Sequence, residues 1–102
     1  MPWFIKTESF TSKTMSLSPE IRQEYINRHR SWVVNLHESG IQVVSGYLVN
    51  KQGLPGGGGL LIIQANSFNE AESLIRHDPM IIANLVKWEL HEWKKVYGQS
   101  YL

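Results

Sequence analysis

His29 stands in the middle of an otherwise apolar stripe. Ile21, Tyr25, His29, Trp32 and Leu36 recur at spacings of four and three, widened by Ile26 and Val33, the pattern of one helix face. A core helix normally places Leu or Ile there. A buried neutral imidazole needs partners for its ring nitrogens. It also titrates near neutral pH, which suits general acid–base chemistry. The plain alternative is a core or interface histidine satisfied by a backbone carbonyl. Asp78 is the only aspartate in the chain. Directly ahead of Pro79 it suits a helix N-cap. It would equally suit an orienter that accepts an imidazole N–H and stabilises the charged ring. Sequence leaves both roles open.

The other chemical signals are weaker. Gly56-Gly57-Gly58-Gly59 lacks the Lys-Ser/Thr that completes a P-loop and precedes a strand rather than a helix. It reads as a flexible hairpin loop, or as backbone N–H groups lining a pocket. His37, His77 and His91 show no closed ligand spacing, so neither a metal nor another cofactor is expected. No Ser-His-Asp order or G-x-S-x-G is present. Trp32, Trp88, Trp93 and Tyr97 suit core and interface filling.

These residues belong to a chain of 102 amino acids, the size of one domain spanning 1–102. Ten basic and nine acidic residues leave a net charge of +1. That balance argues against nucleic acid as a partner, which usually calls for a basic patch or stripe. Arg22, Arg28 and Arg30 cluster on the first helix and read as a solvated face. There is no cysteine, which excludes thiolate chemistry and fits a reducing cytoplasm. No signal peptide is visible, and apolar runs such as 60–63 are too short to span a bilayer, so no membrane is expected as a partner.

Residues 3–8 read as a strand and 9–18 as a Ser/Thr-rich loop. Ser18-Pro19 opens a helix that runs to Gly40. Residues 41–50 and 60–66 read as strands around a turn-rich connection, 51–59. Ser67 and Glu70 form a capping box at the start of a second helix, which Asp78-Pro79 interrupts. Residues 85–96 complete the set, with Val86, Trp88 and Leu90 on one face. The order β-α-β-β-α-β gives an α+β, ferredoxin-like fold: a four-stranded antiparallel sheet with two main helices on one face. The middle strands are apolar on both sides, as in Val43/Val44 and Leu61/Ile62. A sheet open to water on one side would alternate more cleanly. A second copy of the chain is the simplest cover, so a homodimer is expected.

Read together, His29 within Arg28-His29-Arg30-Ser31-Trp32, Gly40, Gly46, Gly58-Gly59, Ser67 to Glu70 with Ala71, and Asp78-Pro79 resemble the YciI-like (YCII-related) family. The resemblance covers nearly the whole chain and lies in the order and spacing of motifs rather than in any one. It implies a ferredoxin-like protomer in a dimeric α/β barrel. It also implies a pocket with a His–Asp pair, here His29 and Asp78, with Trp32, Gly46, Gly58, Gly59 and Met80 as lining. Two departures stand out. Met80 replaces the Phe usual after Asp-Pro, and the glycine run is longer than the usual pair.

Two classes of function fit. One is a cofactor-free enzyme in which the His–Asp pair moves a proton on a small organic substrate, in an elimination or isomerisation. The other is a non-catalytic dimer that binds a metabolite or serves a structural role.

Overall fold

A computed structural model describes residues 1–98. In chain order the elements are β1 (Trp3–Phe10), α1 (Ser12–Ser16), α2 (Pro19–Glu38), β2 (Val43–Val49), β3 (Pro55–Gln64), α3 (Phe68–Ile75), α4 (Pro79–Ile82) and β4 (Val86–Trp93). The strands form one sheet in the order β2-β3-β1-β4. Every neighbouring pair is antiparallel. This is the α+β, ferredoxin-like arrangement. No helix among the described residues is long and apolar enough to cross a membrane.

Local chemistry sets the helix ends. Ser18 Oγ accepts from the Ile21 N–H, and Pro19 takes the first turn of α2. At the other end, Gly40 adopts φ +88°. Gly40 N–H donates to His37 O and Ile41 N–H to Leu36 O. That pair of bonds is the Schellman closure, and Leu36 and Ile41 both join the core there. Ser67 Oγ accepts from the Glu70 N–H and opens α3.

Two segments differ from the sequence reading. Residues 9–18 are not all loop: β1 continues to Phe10, and α1 follows. Thr11 caps α1, and Thr14, fully buried, donates its hydroxyl to Leu85 O. A distant carbonyl therefore fixes this Ser/Thr-rich stretch. The glycine run is not a hairpin loop either. Gly56–Gly59 lie inside β3, and the turn comes earlier, at 50–54, where Asn50 Oδ1 accepts from the Gln52 and Leu54 N–H groups.

Three of the glycines sit where neighbouring strands press on β3: Gly57 against Leu48 of β2, and Gly58 and Gly59 against Glu8 of β1. A Cβ at Gly58 would lie 2.3 Å from the Glu8 carbonyl oxygen, and Gly58 has φ +87°. Gly58→Ala should therefore lower stability by about 2 kcal/mol, combining left-handed backbone strain with a backbone clash. Gly40→Ala meets no neighbour within 4 Å and should cost less. Paired thermal melts would check the ranking; equal losses would show that the strand clash is relieved without cost.

The sheet has two unlike faces, because alternate residues point to opposite sides. The register puts Phe4, Lys6, Leu61, Ile63, Trp88 and Leu90 on the helix side. Phe4, Leu61 and Ile63 are fully buried there with Ala71 and Ile75. The opposite side carries Trp3, Ile5, Val44, Leu60, Ile62 and Trp93. Val43 packs against the core, whereas Val44 is 47% exposed. The open face is thus apolar.

Candidate active site

The site forms where α2, α4 and β1 meet above the helix side of the sheet. His29 comes from the middle of α2. Asp78 is the N-cap of α4, and Lys6 and Glu8 come from β1. His29 Nδ1 lies 2.9 Å from Asp78 Oδ2. Lys6 Nζ donates to the same oxygen at 3.0 Å and pairs with Glu8 Oε1 at 3.2 Å. The other carboxylate oxygen, Asp78 Oδ1, accepts from the Met80 N–H at 2.9 Å. The two roles open to Asp78 from sequence therefore coexist in its geometry: one oxygen caps α4, the other faces the imidazole.

Burial is the largest single influence on Asp78 and by itself would raise its pKa. The hydrogen bond from His29, the charge of Lys6 and the Met80 N–H together outweigh it. They hold the carboxyl below the usual carboxylate range. An ionised carboxylate only accepts hydrogen bonds. Nδ1 of His29 must then carry the proton that points at Oδ2, which leaves Nε2 as the nitrogen able to take one. Asp78 and Lys6 are fully buried, while the His29 side chain keeps 16% of its surface exposed. The imidazole is thus the outward member of a buried charged network.

Trp32 completes the wall. Its ring centroid is 5.7 Å from that of His29, and Lys6 Nζ lies 5.9 Å from a Trp32 ring centroid. Met80 is buried in the core and joins the site through its backbone N–H. Gly59 touches it indirectly: a Cβ there would come within 2.8 Å of Glu8 Oε1. Gly58 makes room for the Glu8 backbone. Gly46 lies elsewhere. It pairs with Leu60 and lines a groove with Val44, Leu48 and Ile62 on the open face. A second groove, about 480 Å³, runs outside Trp32 past Glu24, Arg28, His77 and Pro79. Its lining does not include His29 or Asp78, so the hydrogen bonds rather than that groove locate the chemistry.

Glu8, His29 and Asp78 offer ligand atoms within 4.8 Å of one another. Lys6 Nζ already bonds both carboxylates, so an ammonium fills the cationic position among them. A metal dication would have to sit against that charge. The donor set suits an acid–base cluster better than a metal centre.

Sequence reasoning missed Lys6 and Glu8. Their signal was present: both share strand parity with Phe4, while Trp3, Ile5 and Thr7 take the other side. Two charges on the parity of a buried Phe mark either an exposed strand end or an internal ion pair. Because the sheet is apolar on both faces, parity alone does not choose.

The family model of the YCII-related domain matches residues 6–94. No curated protein matches the sequence. Among solved structures, one similar fold is 5-chloro-2-hydroxyhydroquinone dehydrochlorinase (TftG) from Burkholderia phenoliruptrix AC1100, in complex with 2,5-dihydroxybenzoquinone. It aligns with a TM-score of 0.66 and 21% identity over 90% of this chain and 93% of that one. Another is At3g17210 from Arabidopsis thaliana, with a TM-score of 0.54 and 15% identity over 98% of this chain and 100% of that one. At these identities the likeness concerns the fold.

Proposed function

The chain belongs to the YCII-related domain family, and from that premise we propose that it is a cofactor-free enzyme that moves a proton on a small organic substrate. The carrying observation is the 2.9 Å contact between His29 Nδ1 and Asp78 Oδ2, with Nε2 left over and the ring partly exposed. In an elimination, Nε2 takes a proton from the substrate. The electron pair left behind forms the new double bond, and a leaving group departs from the neighbouring carbon. In an isomerisation, the imidazolium returns the proton to a different atom. In both, Asp78 fixes the tautomer and stabilises the charged ring. Lys6 and the Met80 N–H hold Asp78 in place.

The fold shared with a dehydrochlorinase supports elimination as the first chemistry to test. A panel of halogenated hydroquinones, lactones and enols, followed by halide release and ultraviolet absorbance, is the direct experiment. Turnover of any member, lost in His29→Asn, is expected. Saturable binding with no turnover across the panel would instead favour the metabolite-binding reading.

The same proposal has the protein acting as a homodimer in the cytoplasm. The open apolar face, with Val44, Leu48 and Trp93 exposed, supports a second copy as its cover. Val44→Asp should then shift the protein towards monomer in sedimentation, because it would place a charge in a desolvated interface. A wild-type chain that sediments as a monomer at micromolar concentration would end the dimer proposal.

A further inference from the structure

Glu8 is the remaining charged group of the cluster, and the acid–base mechanism does not use it. Its Oε1 is taken by Lys6. Its Oε2 is buried and has no hydrogen-bond partner among the described residues. A buried carboxylate oxygen without a donor is costly, and native structures rarely leave one without a reason. The surroundings are also shaped for this side chain. Gly59 would place a Cβ 2.9 Å from Glu8 Cγ, and Gly58 one 2.3 Å from Glu8 O. Any larger residue at these positions would displace Glu8.

We propose that Glu8 is the specificity-determining acceptor of the site, binding a hydroxyl hydrogen of an uncharged hydroxylated substrate while His29 acts on the neighbouring atom. This rests on the acid–base reading of His29 and Asp78. Proximity supports the pairing: a carboxylate oxygen of Glu8 and a ring nitrogen of His29 lie within 4.8 Å of one another, so the two side chains border one small space. Charge supports the class. One buried ammonium faces two carboxylates, so with an uncharged imidazole the cluster has an excess negative charge. It favours a hydrogen-bond donor and disfavours a carboxylate or phosphate. The Glu8 side chain is 13% exposed, and its last bond is a soft torsion, so a partial turn can bring Oε2 towards an entering donor.

The test uses two small probes of similar shape, hydroquinone and its donor-free dimethyl ether, 1,4-dimethoxybenzene. Binding to the full chain is measured by calorimetry. The wild type should prefer hydroquinone about tenfold or more, the usual worth of a hydrogen bond to a charged group. Glu8→Met should bring the preference towards parity. Glu8→Gln, which keeps the side-chain shape, should reduce it and serves where Glu8→Met fails to fold. A preference that survives in both variants, or in Glu8→Gln alone where only that variant folds, while His29→Asn abolishes it, would overturn the role of Glu8 and leave the acid–base site standing. Equal wild-type affinity for the two probes would overturn it as well. No binding of either probe by the wild type at millimolar concentration would overturn the role of Glu8, while halide release across the panel decides the acid–base reading separately.

Discussion

Asp78→Ala should melt about 15 °C or more below the wild type, because breaking a buried ion pair costs about 3–5 kcal/mol and each kcal/mol is worth several degrees in a domain of this size. Three bonds go at once. Lys6 Nζ loses its 3.0 Å partner while still fully buried, His29 Nδ1 loses its acceptor, and α4 loses its cap. Asp78→Asn separates the contributions. Its amide oxygen can still accept from Met80, and Asn is a good N-cap, so the cap is kept, while the amide NH2 that replaces Oδ2 can no longer accept from Lys6 or His29. An intermediate loss is expected. Acid adds an independent check. The folded pKa of Asp78 lies below the ordinary value, which is about 3.9. Its contribution to stability is therefore complete above about pH 3.9 and is lost as pH falls through the lower folded value. The gap between wild type and Asp78→Asn should narrow in acid as Asp78 protonates. A gap independent of pH would mean that shape, not charge, is what Asp78 supplies.

The second large effect concerns turnover rather than folding. His29→Asn should lower turnover of whichever compound the panel identifies by about 10²–10⁴-fold, the usual contribution of a positioned acid–base group. His29→Leu should do the same and melt close to the wild type. The structural reason lies in the order of the network. Removing the imidazole leaves Asp78 Oδ2 still bonded to Lys6 and Oδ1 still bonded to Met80, so no buried charge is orphaned. The ring itself is partly exposed, so Leu gives up little there. Asp78→Ala damages the fold because Asp78 is the centre of the cluster; His29→Leu spares it because His29 is at the edge. Thermal melts and a progress curve on the same preparations would check both halves. A marked fall in melting temperature with unchanged turnover would identify His29 as a packing residue.

What local chemistry controls is legible in the chain itself. Ser18-Pro19 and Gly40 bracket α2, the Ser67–Glu70 pair opens α3, and Asp78-Pro79 opens α4, each through bonds to groups within a few residues. The apolar strands and the element order then allow few topologies, and the observed sheet order is one of them. His29 was visible because a polar residue interrupts an apolar stripe. The rest depends on contacts between distant segments. The glycine run reads as loop in isolation and becomes strand because β1 pairs with it from some fifty residues away, Glu8 against Gly59. The stretch 9–18 gains a helix from Leu85, which accepts the Thr14 hydroxyl. Lys6 and Glu8 read as an ordinary charged strand end until the sheet places them under α2. Asp78 meets its partners across 49 residues to His29 and 72 to Lys6. A cap depends on its nearest neighbours, so the chain spells it out. A buried charge is tolerable only where distant segments bring the opposite charge and the hydrogen bonds, and that meeting exists only once the fold has formed.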